Sequence, residues 1–123
     1  MVNRKQAFGK VGESVAVQYL KKQGYKIIEK NYRTKVGEID IIAKEKGSLV
    51  FVEVKTRRSR SFGSPKWAIT PQKKRNLSKA ALYYLKTTDQ SGADARFDVV
   101  SILADEDGME IELIRNAFDL AYP

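Results

Sequence analysis

Residues 36–56 read VGEIDIIA-KEKGS-LVFVEVKT. Two nearly continuous apolar runs, Val36–Ala43 and Leu49–Thr56, flank the short polar segment Lys44–Ser48, a pattern that predicts a β-hairpin. Because the runs are apolar almost throughout, the sheet they enter should be covered on both faces. Ile39, Ile41 and Ala43 share one parity, as do Val50, Val52 and Val54. Side chains alternate across a strand, so uniting these two apolar sets requires pairs whose numbers sum to an odd value. A turn centred near Glu45, Lys46 and Gly47 makes that sum about 93. Asp40 then stands opposite Glu53, Glu38 opposite Lys55 and Ile42 opposite Phe51.

That register sets two carboxylates side by side in strands otherwise made for burial. Directly opposed like charges destabilise a strand pair by a few tenths of a kcal/mol or more, and partial burial adds a desolvation cost. A stable sheet alone would be better served by Val or Thr. A divalent cation between the two groups converts the repulsion into coordination. Lys55 follows Glu53 by two residues and points to the same face. Asp40 and Glu53 are therefore candidate ligands of Mg²⁺ or Mn²⁺, with the Val54 carbonyl as a further candidate. A metal so held would polarise a phosphate oxygen and acidify a bound water. Lys55 would orient that water or offset charge developing on phosphorus. The competing reading is a pair of salt bridges, Asp40 or Glu53 with Lys55 and Glu38 with a loop arginine. Glu38 is read as a flanking residue or ion-pair partner.

Outward from the hairpin, Arg4 to Gln23 has helical spacing of Phe8, Val11, Val15, Ala16, Tyr19 and Leu20. Gly24 reads as its C-terminal cap. Glu13 lies on the side shared with Ala16, Val17 and Leu20, where its carboxylate would add a ligand directly or through water. Tyr25–Tyr32 is an irregular first strand. After a loop rich in Ser, Gly and Arg (57–67), Thr70 and Pro71 supply an N-cap and a first helical residue. That helix should run to about Lys86 and bury Leu77, Ala80, Ala81, Tyr84 and Leu85. Ala95–Ala104 and Glu110–Ile114 complete the strands, joined by a turn at Asp107-Gly108. The order is α-β-β-β-α-β-β, an α/β (α+β) arrangement with one helix on each face of the sheet.

Composition narrows the chemistry. The chain of 123 residues suits one domain, 1–123. It contains no cysteine and no histidine, which excludes disulfides, Cys/His zinc sites, thiol nucleophiles and histidine bases. Any metal must be a hard cation held by oxygen. Mean hydropathy is −0.44, and no apolar run approaches the ~20 residues that span a bilayer. The basic N-terminus, MVNRKQAFGKVGE, has no apolar segment behind it, so no signal peptide is expected. A cytoplasmic protein with no membrane partner is the expectation.

Net charge is +8, and no Asp or Glu occurs between Val54 and Thr88. A one-signed block favours a polyanionic partner, here nucleic acid. A basic face kept for solubility is the competing explanation. Arg57, Arg58 and Arg60 follow Lys55 and are placed to contact phosphates. Lys66, Lys73, Lys74 and Arg75 would extend that track to the second helix, whose N-terminus itself favours anions. Such contacts give affinity and salt dependence, not sequence reading. Phe62 and Trp67 would stack on bases, or else cover a core edge or a dimer interface.

The run Gly9-x-x-Gly12-Glu13, Gly37-Glu38-Ile39-Asp40, Phe51-Val52-Glu53-Val54-Lys55 and Arg96-Phe97-Asp98 resembles the YraN-like family, grouped with Holliday-junction-resolvase-like members of the PD-(D/E)xK nuclease superfamily. The resemblance spans about Phe8 to Ile102. It implies a restriction-endonuclease-like αβββαβ core with a mixed central sheet, and divalent-metal-dependent hydrolysis of phosphodiester bonds in DNA, branched DNA included. It maps metal binding onto Asp40 and Glu53 and the catalytic lysine onto Lys55. Glu13 matches the helix glutamate of resolvase-like relatives, and Gln72 or Lys73 would supply a polar residue from the second helix. Asp98 matches with a structural role. Ile39 stands where the superfamily's namesake proline would be. A symmetric junction as substrate would favour a homodimer, although no residue pattern marks its interface. The alternatives carried beside this reading are a non-catalytic nucleic-acid-binding module and a protein-interaction domain with a basic surface.

Overall fold

The computed structural model describes residues 4–58 and 69–120, with side chains from Gly9 onward. Helix α1 (Arg4–Lys22) is followed by strands β1 (Lys26–Arg33), β2 (Glu38–Glu45) and β3 (Ser48–Arg57), helix α2 (Pro71–Thr87), and strands β4 (Ala95–Asp105) and β5 (Gly108–Phe118). The strands form one sheet in the order β1-β2-β3-β4-β5. β3 and β4 run parallel and every other neighbour pair is antiparallel. The parallel step is where α2 crosses over, as a parallel pair requires. The result is the mixed sheet of a restriction-endonuclease-like αβββαβ core.

The hairpin pairs as Ile41↔Val52, Ile42↔Phe51, Ala43↔Val50, Lys44↔Leu49 and Glu45↔Ser48. Lys46 and Gly47 close it with φ of 49° and 84°. Two successive positive φ values make a type I′ turn, whose twist matches the flanking strands. This turn fixes the parity, and the parity fixes what each face receives. Ile41, Ala43, Val50 and Val52 join Ala16, Val17 and Leu20 of α1 on one face. Ile42, Leu49 and Phe51 join Leu77, Ala80, Ala81, Tyr84 and Leu85 of α2 on the other. Phe51 is packed edge-on against Tyr84 (6.0 Å) and tilted against Phe97 (5.6 Å).

Local chemistry holds the helices in place. Thr70 Oγ1 accepts the Lys73 N–H (3.1 Å), with Pro71 at the first helical position. Gly12 lets α1 sit against β3, since a Cβ there would come within 2.1 Å of Thr56 Cγ2. β5 extends on both sides of the expected Glu110–Ile114, because its ladder with β4 runs from Asp105↔Gly108 to Phe97↔Phe118. Two sequence expectations need correcting. Ile39 does not share a face with Ile41 and Ala43 but packs in the α2 cluster. Glu38 does not face Lys55, because β2 leaves β3 beyond Ile41↔Val52 and continues alone with β1.

Candidate active site

The site lies where β2 and β3 separate. The ladder between them stops one residue short of the expected Asp40–Glu53 pair. There the Asp40 carboxylate accepts the Val54 N–H at 2.8 Å. A side chain thus takes the place of a main-chain ladder partner, and the split it bridges opens a cavity of about 510 Å³. Glu13, Glu38, Asp40 and Glu53 all line it, together with Lys10, Asn31 and Arg33.

Glu53 is the most perturbed carboxyl in this group. It is 6% exposed, and burial pushes it up to about 8, helped by hydrogen bonding and repulsion from Asp40. The positive charges of Lys73 and Lys55 act in the opposite direction. Lys73 Nζ stands 3.6 Å from Glu53 Oε2, too long for a hydrogen bond, and that buried oxygen has no hydrogen-bond partner. A buried acceptor left unsatisfied calls for a physical explanation. An oxygen-seeking cation would fit both the oxygen without a hydrogen-bond partner and the crowding by Asp40. The donor set present, carboxylates without His or Cys, suits Mg²⁺ or Mn²⁺. Among the described residues, however, no three such groups come together as a ready metal cage.

Glu13 reaches the cavity from α1. Its carboxyl is raised first by burial, then by Asp40 and Glu38, while Lys30 and Arg33 oppose the shift. Asn31 is a residue that no sequence pattern singles out. It occupies β1 between the partners of Ile41 and Ile39 and adopts φ of 54°, a left-handed conformation that Asn tolerates better than most side chains. With its amide nitrogen turned toward the acceptors, it donates to Glu13 Oε1 (2.8 Å) and Glu38 Oε1 (3.2 Å). Glu38 also pairs with Arg33 of β1 at 3.5 Å.

The remaining candidates separate clearly. Of Gln72 and Lys73, only Lys73 meets the carboxylates. Gln72 is spent along the helix surface, donating to Asn76 (3.0 Å) and accepting from Arg75 (2.8 Å). Lys74 lies over the Phe118 ring at 5.6 Å. Arg57 ends β3, paired in register with Leu103, and Arg58 follows it exposed. Arg60, Phe62, Lys66 and Trp67 lie outside the described residues. Asp98 belongs to a separate buried network. It accepts from Tyr25 Oη (2.6 Å), Arg96 Nε (3.0 Å) and the Asn116 N–H (2.9 Å), while Glu45 binds Arg96 and Arg115.

The model of "Uncharacterised protein family UPF0102" matches residues 12–102, which contain Glu13, Asp40, Glu53, Lys55 and Lys73. The chain belongs to the UPF0102 family. This is the YraN family that the motifs resemble. A UPF0102 protein of Desulfosudis oleivorans is 56% identical over 119 residues, covering 97% of this chain and 95% of that one. A UPF0102 protein of Geotalea daltonii is 51% identical over 121 residues, covering 98% and 95%. Among solved structures, SfsA of Pyrococcus furiosus, in complex with Ca²⁺, superposes with a TM-score of 0.42 at 14% identity. That superposition takes in 90% of this UPF0102 chain and 63% of SfsA. No helix among the described residues is long and apolar enough to cross a membrane.

Proposed function

We propose that this UPF0102 member is a divalent-metal-dependent endodeoxyribonuclease, with Asp40 and Glu53 as the metal-holding pair and Lys55 as the catalytic cation. The observation that carries the reading is the buried Glu53 carboxyl set against Asp40, with one oxygen that has no hydrogen-bond partner and only the Lys73 ammonium 3.6 Å away. Burying one carboxyl beside another costs stability. Strongly perturbed carboxyls in a cleft are the usual mark of a working site.

In this reading Asp40 and Glu53 hold Mg²⁺ or Mn²⁺, with Glu13 contributing through water and the Val54 carbonyl as a further donor. The bound cation would supply Lewis-acid polarisation of the phosphate and an acidified water. The chain's own groups do the rest. The Val54 N–H fixes the orientation of Asp40. Asn31 holds Glu13 and Glu38 toward the cavity. Lys55 offsets charge developing on the phosphate oxygens, and Lys73 holds Glu53 from the α2 side. Arg57 and Arg58 continue from Lys55 and would contact flanking phosphates. A junction substrate would engage two chains as a homodimer.

The test is cleavage of a panel of labelled linear, single-stranded and four-way DNA in Mg²⁺ and Mn²⁺. Wild type should cleave at least one of them, and Asp40→Asn and Glu53→Gln should lose about a hundredfold or more in rate. Cation-independent cleavage, or cleavage unchanged in both variants, would contradict the assignment. One observation favours binding without turnover: no three ligating groups are gathered among the described residues. That second reading predicts salt-sensitive DNA binding with no cleavage by wild type under any of these conditions.

A further inference from the structure

We infer that the groove between α1 and β1 is a second phosphodiester track, which takes the single DNA strand leaving the carboxylates on the β1 side. This rests on the nuclease reading of the site and adds where its substrate runs. The groove has a volume of about 420 Å³ and is continuous with the acidic cavity, since Lys10, Glu13 and Asn31 line both. Lys10, Ser14, Gln18 and Lys21 line its α1 side. Their spacing of four, four and three residues places them on one helix face. Lys30 projects from β1 on the other side.

Away from Glu13, every polar group along the groove is a cation, a hydroxyl or an amide. Among the described residues, none of Lys10, Lys21 and Lys30 forms a salt bridge. Eleven residues of helix separate Lys10 from Lys21, about 16 Å at 1.5 Å each. At about 3.4 Å per stacked nucleotide, that length accommodates four to five phosphates. A solvated helix face would have no need to align its cations with the mouth of a cavity that four carboxylates line. The track lies apart from Arg57, which sits two strands away from β1, on β3 beside β4. The cleavage site thus has a basic arm on each side, and a strand crossing it is held on both.

The experiment measures binding of a labelled single strand of about 20 nucleotides to the full chain in EDTA, across a salt series, beside cleavage with Mn²⁺. K10E/K21E/K30E is compared with K44E/K79E/K86E, which reverses three exposed lysines elsewhere. The first triple should weaken binding by about tenfold or more and lower the log–log salt slope by about two, at ~0.7 per phosphate contact. The control triple should change binding by less than about threefold. The neutral triple K10Q/K21Q/K30Q should fall between wild type and K10E/K21E/K30E, which guards against a folding defect in the reversed form. Equal weakening by the two reversed triples would overturn the track while leaving the nuclease reading intact, provided wild type still cleaves. Wild type that does not bind the strand would overturn the track, whereas wild type that cleaves none of the linear, single-stranded and four-way DNAs would overturn the nuclease reading as well.

Discussion

Glu53 is held in a state that an ordinary sheet would avoid. Its carboxyl is raised to about 8 from an ordinary 4.5 by burial and by Asp40. A group protonated in the fold but ionised in the unfolded chain gives stability that is full below about pH 4.5 and is lost as pH climbs toward 8. Glu53→Gln carries no charge to desolvate. In EDTA it should match wild type near about pH 5 and exceed it near about pH 9, by about 2 kcal/mol, in urea unfolding. Equal stability at both pH values would show that Glu53 is not strained in the fold. The nearness of Asp40 to Glu53 was legible from strand parity, although the ladder stops one residue short of that pair. The Val54 N–H bond to Asp40 was not, because a side chain replacing a ladder partner leaves no pattern in sequence. Asn31 was invisible for a similar reason. A left-handed residue inside a strand has no periodic signature, and its partners come from α1 and β2.

At the scale of elements, the hairpin was readable because parity and Gly47 agree on one register. The choice between Gln72 and Lys73 was not, since the rotation of α2 over the sheet is set by packing of Leu77, Ala81 and Tyr84 and not by local spacing. The same packing predicts that Phe51→Ala, which empties the space between Tyr84 and Phe97, costs about 3–5 kcal/mol in chemical unfolding. At the opposite end of β2, Arg115 and Arg96 hold the Glu45 carboxyl down to about 2 from 4.5. A depressed carboxyl gives stability that is present above about pH 4.5 and lost as pH falls toward 2. Glu45→Gln should therefore cost about 2 kcal/mol at neutral pH, and the deficit should close as the pH approaches 2. A deficit independent of pH would mean that shape, not charge, anchors the strand end.

Taken as a whole, the molecule divides its charge by region. The structural ion network of Glu45, Arg96, Asp98 and Arg115 closes one end of the sheet, while the acidic cavity opens where β2 and β3 part, with basic residues from α1, β1, β3 and α2 around it. The overall charge is +8, and only the folded arrangement sets four carboxylates together within that field. A cation held there would stabilise the whole fold by mass action, because the unfolded chain has no such pair to offer. Calorimetric titration of the metal-free protein with Mn²⁺ tests this most directly. The account predicts saturable binding by wild type that is lost in Asp40→Asn and in Glu53→Gln. Absence of binding at millimolar Mn²⁺, or identical isotherms for wild type and Glu53→Gln, would contradict it.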